Sequence, residues 1–415
     1  MQKYLSFVEI YGKGPHNARV CYLVTLYLSS VRQRLRSHRL LSDARTASAP
    51  DIHHILTLKE RSMKRLFIAL LTIAFFLPAS LFLPACSDDD GGITPTVPVD
   101  SPRKIYILNE GSFQRGNASL SLYLPDSNEV FNDVFETAAG RALGDVGNSM
   151  TLHDGRLWIV VNNSNRIEVL TTEDHAPIRS IECLPDASPR HIVFDDAGTG
   201  YISNLYRNSV SVYDSVTNSF IAEITVGDNP DGMAIAEGSL FVANSGFGND
   251  NTVSVIDLVT RQVDRTLQVG DYPTAMLHLP GGGIAVLCTG ASNNWEDPND
   301  DTPGGLYIID PATRTVVDSL TLGGHPTRLA RDEQGHVYTI DGGITRIHLA
   351  SKSVTKDFIP GTFYNLFVDV RDGKIYATDA ADFVQNGTVD VYSLSGTKER
   401  TLSVGVIPSS MVLVE

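Results

Sequence analysis

The chain has 415 residues, with 33 basic and 48 acidic side chains and a formal net charge of −15. A surface of this sign repels polyanions, which argues against nucleic acid as a partner. A chain of this length is large for a single hydrophobic core, so a repeated architecture is favoured.

The first 62 residues contain Arg32, Arg34, Arg36 and Arg39 and none of the repeats found further along. At Met63 a Lys-Arg pair precedes an apolar run that ends just before Cys86, which is the layout of a secretory signal. We therefore expect synthesis to start at Met63, with residues 1–62 a gene-model extension outside the mature protein. A transmembrane anchor is the alternative, but two prolines in the run disfavour a spanning helix.

The segment Leu83-Pro-Ala-Cys86 resembles a bacterial lipobox. The resemblance implies that residues 63–85 are a lipoprotein signal peptide and that Cys86 becomes the lipidated N-terminus. Ser87-Asp-Asp-Asp90 resembles the signal that exports lipoproteins of Bacteroidota to the outer face of the outer membrane. A solvated tether is the alternative for this charge run, and we interpret residues 86–103 as a flexible acidic and Pro/Gly linker.

Residues 104–415 repeat a strand-like core seven times, at intervals of roughly 38 to 53 residues. The markers of the seven copies are Tyr106, Trp158, Tyr201, Phe241, Ala285, Tyr338 and Tyr376. Several short strands per period of this length are typical of β-propeller blades, so the sequence predicts an all-β, seven-bladed β-propeller. Segments such as Val253-Ser-Val-Ile-Asp257 alternate as a half-buried strand does, and we expect the closing Asp to form a turn.

The two ends of the repeat region complement each other. The region begins at Lys104 with a second strand of a blade and no first strand, and it ends at Ile407–Glu415 with a first strand alone. We therefore expect the C-terminal strand to complete the first blade and close the ring, which removes an open sheet edge.

The repeat Pro-x-x, apolar strand, Tyr-Val-x-Asn, Val-Ser-Val-Ile-Asp and Ile-x-Val-Gly resembles the YVTN-repeat family of seven-bladed propellers, most closely between Phe241 and Asp257. Together with the lipobox, the chain is similar to surface lipoprotein propellers of Bacteroidota. One branch of those proteins captures cobalamin and passes it to a TonB-dependent outer-membrane transporter.

In a propeller, the connections that enter the first strand of each blade share one face with those that leave the second strand. Five of the seven connections in the first set carry a proline, and the two irregular members are Gly147-Asn-Ser149 and Thr362-Phe-Tyr-Asn365. The residues at these entries should line the rim of the channel. The residues that we expect to bind ligand from this set are Asn148, Arg190, His191, Tyr272, Arg328 and Tyr364. The two arginines stand out on an acidic protein, although pairing with carboxylates such as Asp231 is an equal alternative.

The second set of connections is rich in Gly and Asn, and five of the seven carry an aromatic residue. Several aromatic side chains on one face indicate a binding surface, although each alone could pack against its own loop. The residues that we expect to bind ligand from this set are Phe113, Tyr206, Arg207, Phe247, Trp295 and Phe383.

Metal and disulfide chemistry have little support in the sequence. The carboxylates and amides of residues 293–301 could hold Ca²⁺, but their spacing does not match an EF-hand and Pro298 interrupts them. Cys183 and Cys288 show no metal-ligand spacing and we expect them to be buried. We expect no metal, no cofactor and no catalytic residue.

These observations favour a non-enzymatic, lipid-anchored protein of the outer cell surface that binds a nutrient small molecule. A flat amphipathic ligand such as a corrinoid suits an aromatic rim with amide and arginine groups, and a TonB-dependent transporter is the expected partner. A protein-interaction or adhesion propeller is the alternative. A propeller lactonase or lyase is less favoured, because His191 and His325, the rim histidines, lie on non-adjacent blades.

Overall fold

The computed structural model describes residues 103–292 and 301–415, which form seven four-stranded antiparallel sheets. Each sheet is one blade of a β-propeller, and one strand of every blade lies innermost, at a central channel. The predicted fold class is confirmed.

The strands of the first four blades follow, each blade from the channel outwards. Blade 1 contains β28 (Pro408–Val414), β1 (Lys104–Asn109), β2 (Ser119–Leu124) and β3 (Glu129–Phe131). Blade 2 contains β4 (Gly147–His153), β5 (Arg156–Val161), β6 (Arg166–Thr171) and β7 (Pro177–Glu182). Blade 3 contains β8 (Pro189–Phe194), β9 (Thr199–Asn204), β10 (Ser209–Asp214) and β11 (Ser219–Thr225). Blade 4 contains β12 (Pro230–Ala236), β13 (Ser239–Asn244), β14 (Thr252–Asp257) and β15 (Gln262–Gln268).

The remaining three blades have the same order. Blade 5 contains β16 (Pro273–His278), β17 (Ile284–Cys288), β18 (Gly305–Asp310) and β19 (Thr315–Thr321). Blade 6 contains β20 (Thr327–Arg331), β21 (His336–Asp341), β22 (Gly343–His348) and β23 (Ser353–Ile359). Blade 7 contains β24 (Asn365–Asp369), β25 (Lys374–Asp379), β26 (Asn386–Ser393) and β27 (Lys398–Val406).

The C-terminal strand closes the ring as predicted. Strand β28 is the innermost strand of blade 1 and pairs with β1 from Lys104 opposite Val414 to Asn109 opposite Pro408. The first and last strands of the repeat region therefore share one sheet, and the first blade has no open inner edge.

The middle strands are buried on both faces because each blade packs between two neighbours. In β5, Leu157 and Ile159 enter the core shared with blade 1, whereas Trp158 and Val160 enter the core shared with blade 3. This alternation with a period of two is the strand periodicity that the sequence showed. The outermost strands, such as β15, are largely exposed.

The asparagine and glycine of the repeat pack on each other across adjacent blades. Asn244, at the end of β13, donates from Nδ2 to Ser254 Oγ at 3.0 Å. A Cβ added to Gly227 of blade 3 would lie 2.5 Å from the Asn244 side chain, and one added to Gly405 of blade 7 would lie 2.7 Å from that of Asn109. The glycine at the end of the outer strand therefore makes room for the asparagine of the next blade.

The aspartates that end β10, β14 and β18 form turns, as predicted. Asp257 accepts the backbone N–H groups of Val259 and Thr260 at 3.0 and 2.8 Å. Asp214 and Asp310 make the same pair of contacts with the second and third residues that follow them.

A short helix between blades 1 and 2, α1 (Val134–Ala139), was not predicted from the sequence. It lies next to a buried ion cluster in which Glu168, whose side chain is fully buried, accepts a bidentate contact from Arg141 at 3.0 and 2.7 Å. Arg166 lies 2.7 Å from the same carboxylate. A second short helical turn spans Gly246–Gly248. Among residues 103–292 and 301–415, no helix is long and apolar enough to cross a membrane.

Cys183 and Cys288 are buried free thiols, as predicted. Burial raises the pKa of each to about 12, so both stay protonated and act as small apolar residues. The segments before residue 103, including Cys86, lie outside the described residues, as do Trp295 and most of the 293–301 loop.

Candidate functional site

Two sets of connections meet on one face of the ring, which we call the loop face. The backbone N–H of Leu205 donates to the carbonyl of Ser188 at 3.2 Å, and that of Thr289 donates to Tyr272 at 2.9 Å. These bonds join the loop after the second strand of a blade to the loop before its first strand. The opening of the central channel on this face, which we call the mouth, is therefore lined by both sets.

Bulges in the innermost strands present polar side chains at the mouth. Pairing between the first and second strands skips residues just after the entry of each innermost strand, at Pro189/Ile192, Pro230/Met233 and Thr327/Ala330 for example. A bulge frees a residue from the ladder and re-aims its side chain. The residues freed in this way include Asp231 and four that the sequence placed at the rim: Asn148, Arg190, His191 and Arg328.

The first cluster at the mouth links blades 2, 3 and 4. Arg190 donates to Asp231 through Nε at 3.2 Å and through Nη2 at 3.3 Å, and Nη1 donates to Asn148 Oδ1 at 2.6 Å. His191 Nε2 lies 3.2 Å from Asp231 Oδ1. The Asp231 pairing that the sequence left open is therefore present for Arg190.

Electrostatics hold the Arg190–Asp231 pair ionised. Burial raises the pKa of the Asp231 carboxyl, but Arg190 and His191 outweigh burial and place that pKa well below its usual range. Burial likewise lowers the pKa of Arg190, and Asp231 more than offsets it. The charges of Arg190 and Asp231 balance each other, and the pair joins blade 3 to blade 4. We call this pair the clamp.

The second cluster lies between blades 1, 6 and 7. Tyr364 donates from its hydroxyl to Glu110 Oε2 at 2.6 Å. Arg328 donates from Nε to the Tyr364 carbonyl at 3.2 Å, and its guanidinium carbon lies 5.2 Å from the centre of the Tyr364 ring. Burial raises the pKa of Glu110, and the Tyr364 hydrogen bond with the charges of Arg328 and Arg190 offsets only part of that rise.

Aromatic side chains surround these clusters on two sides of the mouth. Tyr206 and Phe247 are in contact, with ring centres 6.5 Å apart, above blades 3 and 4. Phe383 meets Tyr364 edge to face at 5.8 Å above blade 7, and its carbonyl accepts the hydroxyl of Ser112 at 2.8 Å. Phe113, in the same loop as Ser112, is 64% exposed, against 57% for Tyr206 and 46% for Phe383.

The remaining predicted residues are placed as follows. Arg207 is exposed but paired with Glu223, through Nε at 2.7 Å and Nη2 at 2.9 Å, so its charge is already balanced. Tyr272 is half-buried and close enough to Arg190 to affect its pKa. Trp295 lies outside the described residues.

The two rim histidines are not brought together. His191 contacts Asp231 on blades 3 and 4, whereas His325 lies at the entry to blade 6, with Nε2 3.3 Å from Asp301. Across residues 103–292 and 301–415, no group of three or more His, Cys, Asp or Glu side chains is placed to hold a metal ion.

A cavity of about 350 Å³ lies further along the innermost strands of blades 5, 6, 7 and 1. Its lining includes Leu277, Leu329, Arg331, Asn365, Phe367 and Met411. The lining of this cavity is therefore partly apolar.

Sequence reasoning missed Glu110 as a site residue. It follows β1 directly, at the start of a loop that was recognised only for Phe113. Its contact with Tyr364 joins residues 254 positions apart. The sequence signal that could have identified Glu110 is its position directly after the second strand of blade 1, on the same face as Tyr364.

Residues 104–290 match the family model described as a domain of unknown function, DUF5074. Residues 291–415, with blades 6 and 7, lie beyond the match. No curated protein matches this chain in sequence.

Solved structures share the fold. A quinoprotein alcohol dehydrogenase-like protein from Bacteroides thetaiotaomicron is 14% identical, with a TM-score of 0.59 over 75% of this chain and 78% of that one. A chain of hydrazine synthase from Kuenenia stuttgartiensis is 17% identical, with a TM-score of 0.53 over 64% of this chain and 88% of that one. At such identities the likeness concerns the propeller fold alone.

Proposed function

We propose that this propeller is a non-enzymatic binding protein that takes a small amphipathic molecule at its mouth. The observation that supports this most is the pairing of exposed aromatic side chains with a polar centre on one face. Tyr206 and Phe383 offer apolar area on opposite sides of the mouth, and Asn148 and Arg328 lie between them. Binding sites combine apolar area with a few placed polar groups in this way.

A corrinoid is the ligand that we propose first. It is broad and flat, so it spans a mouth ringed by several blades, and its peripheral amides match asparagine and arginine side chains. We further propose that Cys86 anchors the protein by a lipid to the outer cell surface, and that a TonB-dependent transporter receives the ligand. The lipobox-like segment Leu83–Cys86 and the resemblance to YVTN-repeat surface lipoproteins of Bacteroidota support these points. Loss of membrane association in Cys86→Ser is the test of the anchor.

Calorimetric titration of the purified protein with cyanocobalamin tests the ligand. We expect one-to-one binding, weakened roughly tenfold or more by Tyr206→Ser and by Phe383→Ser, because each removes stacking area worth about 1–3 kcal/mol. Val216→Ser is the matched control, since Val216 is 81% exposed but lies in the turn after β10, away from the loop face. Absence of heat with the intact protein at micromolar concentration would reject the corrinoid.

A protein partner is the second candidate. Phe113, Phe383 and the 71% exposed Val384 lie on loops of blades 1 and 7 that are joined by the Ser112–Phe383 hydrogen bond. Exposed apolar groups of this kind also suit a protein interface. Rim variants that retain cyanocobalamin binding but lose co-purification with a transporter would favour this use of the patch.

A further inference from the structure

The two arginines of the mouth are not equivalent. Arg190 is neutralised by Asp231 and also bonded to Asn148. Arg328 donates only through Nε, to the Tyr364 carbonyl, and stacks on the Tyr364 ring. Within the part of the chain that the structure describes, no carboxylate oxygen lies within 4.0 Å of the Arg328 guanidinium.

The backbone at Arg328 differs from the rest of the repeat. In five blades a residue in the left-handed region directly precedes the innermost strand: Val146, Ser188, Asn229, Tyr272 and Ile407. In blade 6 the left-handed residue is Arg328 itself, with φ of 63°, inside β20. This conformation is unfavourable for a residue with a Cβ, and such outliers concentrate where a side chain is positioned for use.

Tyr364 fixes the position of the Arg328 side chain. Its hydroxyl is held by Glu110, its backbone N–H donates to the Thr378 carbonyl at 2.8 Å, and its ring edge meets Phe383. With Nε engaged, Nη1 and Nη2 of Arg328 make no hydrogen bond to the described residues. A planar guanidinium with both terminal nitrogens free suits two-point contact with an oxyanion.

We propose that Arg328 is an oxyanion-binding group of the mouth, which holds a phosphate or carboxylate of the ligand beside Phe383. This proposal adds one contact to the proposed function, and it rests on that function for the identity of the rest of the ligand. The oxyanion contact itself is independent of the corrinoid. The Glu110 carboxyl accepts the hydroxyl of Tyr364, and the charge of Arg328 lowers its pKa without forming an ion pair with it.

The first test uses inorganic phosphate and acetate as probes, added to the full chain at constant ionic strength against chloride. We expect phosphate, acetate or both to raise the melting temperature of the wild type, because a ligand of the folded state stabilises it. The increment should vanish in Arg328→Gln and persist in Arg314→Gln, whose arginine pairs with Asp264 at 2.7 Å in the turn after β18, away from the loop face. An undiminished increment in Arg328→Gln, or no increment in the wild type, overturns the proposal.

Arg328→Gly separates a binding role from a structural one. Glycine adopts positive φ without penalty, so this variant should melt at or above the wild-type temperature in chloride and still lose the anion increment. A large loss of stability in chloride together with a retained increment would show that Arg328 is structural.

The last comparison separates the two proposals. Cyanocobalamin carries a phosphodiester, whereas dicyanocobinamide lacks it. We expect the wild type to prefer cyanocobalamin at least tenfold and Arg328→Gln to lose that preference. If neither corrinoid binds but the anion increment depends on Arg328, the corrinoid is rejected and the oxyanion site stands. If both bind equally to the wild type and to Arg328→Gln, the oxyanion site is rejected and the corrinoid stands.

Discussion

The ion pair between Arg190 and Asp231 determines which charged groups at the mouth remain for a ligand. Their side chains are 27% and 11% exposed, so neither charge is well solvated without the other. Removing one partner of such a pair costs more than the pair itself contributes, because it leaves a poorly solvated charge. The pair therefore contributes rigidity to the mouth and leaves ligand recognition to its neighbours.

Asp231→Asn should destabilise the protein by about 2–3 kcal/mol at neutral pH, because Arg190 is left without its counter-charge. Urea unfolding at pH 7 measures this difference. Asp264→Asn is the control: Asp264 also pairs with an arginine but is 46% exposed, so we expect a change of about 0.5 kcal/mol or less. Equal effects of the two substitutions would contradict the clamp.

The same residue sets an acid dependence. The pKa of Asp231 is lower in the folded chain than its ordinary value of 3.8. Its ionised form therefore stabilises the fold above that value, and the contribution is lost as the pH falls through the folded pKa. Below about pH 4, the free energy of unfolding of the wild type should therefore fall more steeply with decreasing pH than that of Asp231→Asn, which has no carboxylate at this position. Unfolding midpoints measured over a pH series show the difference.

The sequence predicted where the rim residues lie better than it predicted which side chains they contact. The entries to the innermost strands predicted that Asn148, Arg190, His191 and Arg328 lie at the rim, and each of them falls in a bulge of such a strand. The sequence could not tell that Arg190 is paired and Arg328 is not. Whether an arginine is paired depends on how far its innermost strand is shifted along the channel relative to the neighbouring strands. Bulges of one or two residues contribute to that shift, and the shift leaves no signal in the local sequence.

Each blade is positioned by side-chain contacts with the next blade. Gly227, after the outer strand of blade 3, and Asn244, at the end of the second strand of blade 4, touch across the boundary between the two blades. Spacing alone predicted both positions but not their contact. Helix α1 was missed because it is one short insertion, six residues long, in a pattern otherwise made of strands.

Gly227→Ala should destabilise the protein by about 1–3 kcal/mol, because the new methyl group overlaps the Asn244 side chain. Gly283→Ala is the matched control, since a Cβ there meets its nearest atoms at an ordinary 3.6 Å. Adding Asn244→Ala should recover much of the Gly227→Ala loss in a double-mutant cycle measured by thermal unfolding. Additive effects in that cycle would refute the contact.

At the scale of the whole molecule, the ring is one closed cycle of innermost strands rather than a row of independent blades. Strand β28 supplies the inner edge of blade 1 and also contacts its neighbour, since Ser409 donates to the carbonyls of Leu108 and Gly147 at 3.3 Å each. This closure was predictable because the two ends of the repeat region each lacked the strand that the other end supplied.

Deleting residues 407–415 should lower the melting temperature by roughly 10 °C or abolish a cooperative transition, since blade 1 loses its inner strand and β1 gains an open edge. Differential scanning calorimetry measures the change. A chain shortened only by Glu415, which contacts Arg371 on the exposed surface, is the control. Identical melting of the longer deletion and the intact protein would refute closure by β28.

The pairing of Lys104 with Val414 also sets the polarity of the ring. The innermost strands begin at the mouth, so the end of β28 and the start of β1 lie together on the opposite face. A tag or surface linkage attached after Glu415 would leave the mouth facing solution, which suits immobilised binding measurements.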